Sequence, residues 1–410
     1  MLEDLFALSR RFFDLKNRNY RRYFIKKTQL NHRLCLILGQ RGVGKTTMLI
    51  QYLLDYADNY QPSDKILYIQ TDHFLMENKS IYEVAEHFHN HGGEFIIFDE
   101  IHKYSNWSQE LKSLYDTFPD LKILASGSSA LEIHKGSHDL SRRGIKFHLR
   151  GLSFREYLEL KLGTTFEYYS LHDTLHKHVE IGHDVLNSIN KQGEKILKLF
   201  NDYLQNGFYP YFLEFNNTEL YQLTLEQNIH TTIESDLVAI YPQLSGYSVK
   251  KIKQLLAYVA NAIPFTPNWQ KVKTILDVGD ARTLKSYIKM LEDAEMIKTV
   301  FSASNKLNKL ETEGKLYLNN CNQMVALAPS STNKGTMRET FFVNSLSDEY
   351  SVALVKKGDF IIDGKYTVEI GGRNKDFSQL KNVNQAFLVC DDIERGAKNK
   401  IPLWLFGFLY

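Results

Sequence analysis

The sequence predicts an α/β protein, with a parallel sheet covered by helices on both faces between residues 31 and 150. The first observation is a glycine-rich loop at 39–46, which stands between an apolar run and a helix-like stretch. The second is the alternation of four short apolar runs with helix-like segments, at 34–38, 65–70, 95–98 and 121–125. Parallel strands need a crossover connection, usually a helix, so this alternation is typical of a parallel sheet.

The glycine-rich loop fits the phosphate-binding pattern G-x-x-x-x-G-K-[ST] at every fixed position. Its glycines allow backbone N–H groups to surround phosphate oxygens, and the N-terminus of the following helix adds a partial positive charge. Lys45 is expected to reach the β- and γ-phosphates, and the Thr46 hydroxyl to hold Mg²⁺. The residues predicted to bind the nucleotide are Gly39, Gln40, Arg41, Gly42, Val43, Gly44, Lys45, Thr46 and Thr47. ATP and Mg²⁺ are therefore the predicted cofactors.

A second motif is the acidic end of the apolar run at 95–98, where Asp99 and Glu100 follow. A buried parallel strand places such residues at the carboxyl edge of the sheet, where ligands bind. Asp99 is predicted to join the Mg²⁺ shell through water, and Glu100 to polarise the attacking water as general base. The alternative is a strand that ends in solvated acids. The position about 55 residues after the phosphate loop favours the catalytic interpretation.

The apolar run at 121–125 ends in a turn rich in serine and glycine, residues 126–129. A polar side chain at this strand tip could contact the γ-phosphate or orient the water. Ser126 and Ser128 are the candidates, and Ser128 is taken as the catalytic one. An ordinary serine–glycine turn is the alternative.

A basic pair, Arg142 and Arg143, lies in the turn at 139–144. An arginine outside the sheet can stabilise charge on a transferred phosphoryl group across a subunit boundary. Arg143 is the predicted arginine finger, and a solvated basic turn is the alternative.

The composition limits the class of protein. The chain has 410 residues, of which 43% are hydrophobic, enough for roughly two to four domains. The formal net charge of +2 gives no global signal for a polyanionic partner. No segment approaches about 18 apolar residues, and the N-terminus lacks a signal-peptide pattern, so we expect no membrane span and a cytoplasmic location. The three cysteines are isolated, which favours neither disulfides nor a zinc site.

The chain divides into five predicted parts. They are an N-terminal helical arm (1–30), a P-loop ATPase core (31–150), a helical lid (151–245), a winged-helix module (246–325) and a nuclease-like domain (326–410). The arm interleaves basic and aromatic residues, as nucleic-acid-binding segments do. A helix docked on the first domain is the favoured alternative.

The part at 246–325 has three helix-like stretches followed by two strand-like ones, an order that resembles a winged helix-turn-helix. Residues 246–320 hold 12 lysines and arginines against 7 aspartates and glutamates. Arg282, Lys285 and Lys289 lie on adjacent turns of the third helix and could meet DNA phosphates. DNA is therefore a candidate partner, and a winged helix that binds protein or only packs is the alternative.

The last part carries three acids, Glu339, Asp359 and Glu369, in the layout of a restriction-endonuclease-like fold. In such a fold the carboxylates hold Mg²⁺, and a lysine two residues after the last acid activates water. That position is Gly371 here, and Lys375 is the nearby lysine that could replace it. The sequence therefore predicts a degenerate, inactive nuclease-like site.

Together these motifs resemble those of the bacterial and archaeal AAA-type P-loop ATPases that end in a restriction-endonuclease-like domain of unknown function. The matching segments are 39–46, 98–103 with Trp107, 127–129, 152–156 and the three C-terminal acids. The resemblance implies a winged helix between the ATPase and the nuclease-like domain. It also makes a homo-oligomer a candidate, because a finger from one AAA subunit often completes its neighbour's site. It implies no settled cellular role.

The predicted function is Mg²⁺-dependent binding and hydrolysis of ATP, coupled to the winged-helix and nuclease-like parts, with DNA as a candidate substrate. The alternative is an ATP-regulated switch that binds protein and has no role on DNA. A weaker alternative is an ATP-dependent DNA nuclease.

Overall fold

The computed structural model describes residues 2–57, 63–128, 140–262, 266, 269–303, 314–330, 332–346 and 349–410. The chain forms two compact units. The first unit comprises Met1–Gly151, Thr231–Ser245 and Asp293–Glu295, and the second comprises Leu152–His230, Gly246–Glu292 and Met296–Tyr410. The five-part division made from the sequence stays a prediction. Across the described ranges, no helix is both long and apolar enough to cross a membrane.

The first unit is built on a five-stranded sheet in which every neighbouring pair is parallel. Its strands are β1 (Leu34–Leu38), β2 (Ile66–Gln70), β3 (Phe95–Asp99), β4 (Lys122–Gly127) and β5 (Ile145–His148), in the order β2-β3-β4-β1-β5. The first four confirm the predicted strands, whose apolar runs reflect burial on both faces. The sequence did not predict β5, because this edge strand is exposed or half-buried and alternates apolar residues with Lys146 and His148.

Helices of the first unit pack on this sheet. They are α1 (Leu2–Lys16), α2 (Tyr23–Lys27), α3 (Lys45–Tyr56), α4 (Ile81–Asn90), α5 (Trp107–Thr117) and α11 (Leu237–Ile240). Helix α1 buries Leu5 and Phe13, and its Ser9 hydroxyl accepts a hydrogen bond from the Tyr68 N–H of β2 at 3.1 Å. The N-terminal helix is therefore docked on the sheet, which is the favoured alternative for the arm.

The second unit is mostly helical up to residue 346. Its helices are α6 (Phe154–Leu162), α7 (Leu171–His176), α8 (His178–Lys191), α9 (Ile196–Asn206), α10 (Thr218–Thr231), α12 (Gly246–Ala262), α13 (Trp269–Leu276), α14 (Ala281–Asp293), α15 (Cys321–Leu327) and α16 (Lys334–Leu346). An antiparallel hairpin of β6 (Ile297–Phe301) and β7 (Gly314–Leu318) follows α14. Three helices followed by a hairpin is the order predicted for the winged-helix part.

The end of the chain forms a mixed five-stranded sheet. Its strands are β8 (Val352–Leu354), β9 (Phe360–Ile362), β10 (Tyr366–Gly371), β11 (Ala386–Cys390) and β12 (Lys400–Pro402), in the order β12-β11-β10-β9-β8. β8, β9 and β10 pair antiparallel, whereas β10, β11 and β12 pair parallel. β11 is fully apolar and fully buried, whereas β12 begins with the partly buried Lys400.

Candidate functional site

The phosphate loop connects β1 to α3 and depends on its glycines. Gly42 and Gly44 have φ angles of 84° and 93°, in the left-handed region that favours glycine. Gly44 is also the residue before the first turn of α3. At Gly39 a Cβ atom would lie 2.4 Å from the carbonyl oxygen of Leu149, the residue after β5, so a larger residue would force the loop away from Leu149. The loop therefore presents backbone N–H groups at the start of a helix, the arrangement that binds phosphate.

Lys45 is buried inside this loop. Its ammonium donates hydrogen bonds to the carbonyl oxygens of Gly39 at 2.9 Å and Gln40 at 3.0 Å. These bonds satisfy the buried charge and hold the amine in the loop. The contact of Lys45 with phosphate stays a prediction.

Asp99, at the end of β3, accepts hydrogen bonds from three hydroxyl groups. Thr46 Oγ1 donates to Oδ2 at 2.6 Å, Tyr68 donates to the same oxygen at 2.7 Å, and Ser126 donates to Oδ1. Burial, reinforced by the negative charge of Asp99, raises the pKa of Tyr68 far above its ordinary value, so the phenol stays protonated. The two residues predicted to serve Mg²⁺, Thr46 and Asp99, are therefore in direct contact.

A hydroxyl beside a carboxylate fits Mg²⁺, which prefers oxygen ligands and takes only one or two from the protein in nucleotide sites. In the parts of the chain that the structure describes, no three His, Cys, Asp or Glu side chains form a metal-binding group. The oxygen donors of Thr46 and Asp99 suit an ion of this kind.

Glu100 has a backbone conformation that is rare outside glycine, with φ of 55°. Neighbouring strands hold it there. Its N–H donates to Ser126 Oγ at 3.2 Å, and the Thr71 hydroxyl donates to its carbonyl oxygen at 2.9 Å. Its side chain is only 25% exposed. Such conformations persist only where the surroundings determine them. The role of Glu100 as general base stays a prediction.

His102, on the short turn after Glu100, contacts the Glu100 side chain. Its Nε2 lies 3.5 Å from Glu100 Oε2, and its Nδ1 accepts a hydrogen bond from the Ser128 N–H at 3.3 Å. The Ser128 backbone therefore belongs to the site, whereas a role for its hydroxyl stays a prediction. Ser129, in the same predicted turn, lies outside the described residues.

Sequence reasoning assigned no role to Tyr68, Thr71 or His102. A polar side chain inside or just after an apolar run of the same sheet is the signal that could have identified the first two. His102 follows the acidic motif directly, and its spacing of two residues from Glu100 was the available signal.

Arg143 does not approach the phosphate loop of its own chain. It precedes β5, which runs parallel to β1, so it lies at the amino edge of the sheet, whereas the loop follows the carboxyl end of β1. Its guanidinium binds both carboxylate oxygens of Asp116, with distances of 2.7 and 2.9 Å. A finger that reaches a neighbouring subunit stays a prediction.

Two short segments from later in the chain complete the first unit around the loop. The Gln40 side chain donates to the Glu295 carbonyl oxygen, and His148 Nε2 lies 2.6 Å from Glu295 Oε1. Arg41 Nη1 lies 3.4 Å from Asp236 Oδ1. Two of the loop residues predicted to contact nucleotide are thus held by residues far away in sequence.

The three predicted acids of the last part lie on neighbouring elements of the second unit. Glu339 on α16 accepts a hydrogen bond from the Tyr317 hydroxyl at 2.7 Å, and Asp359, just before β9, accepts one from the Ile370 N–H at 2.7 Å. Burial raises the pKa of Glu339, and the charges of Asp359 and Glu369 add to this. The charges of Asp359 and Glu369 therefore act on the carboxyl group of Glu339.

Lys375 fills the space beside Gly371, where the lysine of the predicted motif is missing. A Cβ atom at Gly371 would lie 2.5 Å from both Cβ and Cγ of Lys375. The Lys375 amine lies 2.5 Å from Glu369 Oε1, the third acid, and this hydrogen bond raises the pKa of the amine. The Lys375 amine thus reaches Glu369 from residue 375, whereas the motif has its lysine at the position of Gly371.

Two parts of the chain match known families. Residues 31–158, which carry the phosphate loop, Asp99 and Glu100, match a family described as AAA domain. This region is similar to AAA domains. The parallel five-stranded sheet and the phosphate loop fit a P-loop ATPase of that type. Residues 197–334 match a domain of unknown function, DUF8612.

Several solved structures are distantly similar to this chain. Replication initiator DnaA bound to AMPPCP and single-stranded DNA is 14% identical, with 70% of this chain and 88% of that chain covered and a TM-score of 0.30. The Aeropyrum pernix ORC1 protein in complex with DNA is 12% identical, with coverages of 79% and 92% and a TM-score of 0.31. AMPPCP-bound DnaA from Aquifex aeolicus is 14% identical, with coverages of 66% and 85% and a TM-score of 0.29. No curated protein sequence matches the chain.

Proposed function

We propose that this protein is a Mg²⁺-dependent ATPase of the AAA type. The observation that supports this most is the 2.6 Å contact between Thr46 and Asp99, which joins the phosphate loop to the acidic end of β3. In the proposed site the loop and Lys45 bind the phosphates, and Thr46 and Asp99 hold Mg²⁺. The ion, when bound, neutralises charge that develops on the phosphate oxygens.

Glu100 is the proposed general base. Its backbone is held by Ser126 and Thr71 at the end of β3, the strand whose Asp99 contacts Thr46 of the loop. A carboxylate held next to the phosphates can accept a proton from water as the water attacks phosphorus. The half-buried position of the side chain limits competing solvent.

ATP hydrolysis is proposed to be coupled to a winged-helix module that contacts DNA. The module consists of helices α12–α14 and the hairpin of β6 and β7 that follows them. Arg282, Lys285 and Lys289 are exposed on α14, whereas Leu284 and Leu291 on the same helix are buried. An exposed basic face on the third helix suits contacts with DNA phosphates. A protein partner at the same face is the alternative.

The test is ATP hydrolysis by the purified chain with Mg²⁺, with and without single- or double-stranded DNA. We expect turnover that Lys45→Ala abolishes. We also expect DNA to stimulate it, and stimulation to be lost when Arg282, Lys285 and Lys289 are changed to alanine together. Alanine at three exposed lysines of the second unit, Lys191, Lys195 and Lys198, is the matched control. Turnover indifferent to DNA would favour the protein-binding switch.

A second candidate function is metal-dependent cleavage of DNA, and the position of Lys375 beside Glu369 favours it. An amine next to a metal-binding carboxylate can activate water in such sites. The test is incubation of plasmid DNA with the chain in Mg²⁺ or Mn²⁺. Cleavage that is lost in both Asp359→Ala and Lys375→Ala would establish the activity, and intact plasmid in both metals would remove it.

A further inference from the structure

Asp236 is a buried acid in the first unit with no part in the proposed chemistry. It ends a π-helical turn, Thr232–Asp236, which is followed by α11. Such turns are rare and often occur at functional sites. The Asp236 side chain is only 3% exposed, and a charge buried this deeply requires charged or hydrogen-bonding partners.

The partners of Asp236 come from the nucleotide site. Arg41 of the phosphate loop lies 3.4 Å from Oδ1, and Lys103 and His102, which follow Glu100, each lie 3.6 Å from the same oxygen. Burial alone would raise the pKa of Asp236, but His102, Arg41 and Lys103 outweigh it and lower the pKa. Asp236 is therefore an ionised group that contacts the phosphate loop on one side and the turn after Glu100 on the other.

The His102 imidazole offers one proton to two carboxylates. Its Nδ1 accepts from the Ser128 N–H, so Nε2 carries the hydrogen. That Nε2 is buried, lies 3.5 Å from Glu100 Oε2 and 3.6 Å from Asp236 Oδ1, and makes no hydrogen bond among the described residues. One N–H group lies almost equally far from the proposed base and from Asp236.

We infer that Asp236 is a positioning residue that keeps the His102 proton away from Glu100; this rests on the proposed ATPase function. With Asp236 in place, the N–H group is drawn to it, and the Glu100 carboxylate accepts its proton from water. When Asp236 moves away, the N–H group donates to Glu100 and weakens it as a base. Residues 231–245 are preceded and followed in sequence by residues of the second unit. The chain therefore links the second unit directly to Asp236, the residue that is inferred to control hydrolysis.

The test compares ATP turnover and ATP affinity in Asp236→Asn, which keeps the shape of the side chain and removes its charge. We expect kcat to fall about tenfold or more, and the Kd for ATP to change less than about threefold. The matched control is Asp293→Asn, because Asp293 is a buried acid of the same unit that accepts from the Tyr241 hydroxyl at 3.1 Å. It should leave both constants unchanged.

A suppressor distinguishes positioning from a structural role. His102→Phe removes the N–H group, so Asp236→Asn should lower kcat no further when it is added to His102→Phe. Wild-type kcat in Asp236→Asn, or a loss of ATP binding in that variant, would overturn the inference. A further tenfold fall in kcat when Asp236→Asn is added to His102→Phe would overturn it as well. If Asp236→Asn does not fold, Asp236→Ser in the same two backgrounds gives the same comparison. Absence of turnover in the wild-type protein would instead refute the proposed function.

Discussion

The hydroxyl of Tyr68 on β2 donates to the Asp99 carboxylate on β3, with 2.7 Å between the oxygens. Residues Gln70 and Asp99 are paired in register, so Tyr68 reaches the end of the neighbouring strand from two residues earlier. The bond occupies the oxygen that also accepts from Thr46. Tyr68 therefore helps to fix the orientation of the proposed Mg²⁺ ligand from inside the sheet.

Tyr68→Phe is expected to destabilise the protein by about 2 kcal/mol, since a buried hydrogen bond to a charged group is lost. The variant should also need more Mg²⁺ for half-maximal ATP turnover, because Asp99 is less well oriented. Urea unfolding and a Mg²⁺ titration measure the two effects. Tyr52→Phe, which alters a hydroxyl 3.4 Å from the Leu30 carbonyl, is the control. An unchanged Mg²⁺ requirement in Tyr68→Phe would argue against this role.

Glu100→Gln is expected to bind ATP with nearly wild-type affinity and to hydrolyse it about a hundredfold more slowly, or worse. Glutamine keeps the size of the side chain but cannot accept the proton of the attacking water. Calorimetric titration with ATP and a single-turnover assay separate binding from chemistry. Wild-type turnover in this variant would show that another group is the base.

Gly371→Ala is expected to cost about 1–3 kcal/mol, because the new Cβ would collide with the Lys375 stem. The colliding atoms are Cβ and Cγ, close to the backbone, so the lysine cannot avoid the clash by moving only its end. Lys375→Gly, which removes both colliding atoms, should remove most of this penalty. A double-mutant cycle by urea unfolding measures the coupling, and fully additive effects of the two changes would contradict the packing.

Glu339→Gln is expected to raise the melting temperature at pH 7. The pKa of Glu339 is raised in the folded state, chiefly by burial, so its contribution to stability is full below its unfolded pKa and is lost as pH rises through the folded pKa. Glutamine avoids this loss, and the advantage should vanish at pH values where wild-type Glu339 is protonated. Melting curves between pH 4 and pH 8, beside the partly exposed Glu226→Gln as control, give the comparison. A variant less stable than wild type at neutral pH would contradict the expectation.

Much of the site could be predicted because its chemistry is local in sequence. The phosphate loop is contiguous, and Asp99 and Glu100 follow an apolar run that can only be a buried strand. The contact between Asp99 and Thr46 follows because both lie at one edge of a parallel sheet. For the same reason the four buried strands were predictable, whereas the exposed edge strand β5 was not.

The remaining contacts depend on strand order and on distant segments, which a single sequence does not give. Tyr68 and Ser126 meet Asp99 because β2 and β4 are the neighbours of β3. Arg143 lies at the amino edge of the sheet because it precedes β5, a strand that was not predicted from the sequence. Asp236 reaches the site from a segment that the sequence assigned to a lid.

The first unit includes Thr231–Ser245 and Asp293–Glu295 as well as the long N-terminal stretch. During synthesis, which proceeds from the N-terminus, the sheet of this unit emerges from the ribosome long before Asp236 and Glu295. Its phosphate loop therefore lacks the partners of Arg41 and Gln40 until Asp236 and Glu295 have been synthesised. A newly made chain cannot complete the contacts of this loop before residues 152–230 and 246–292 of its second unit also exist, which delays the proposed nucleotide turnover until that point.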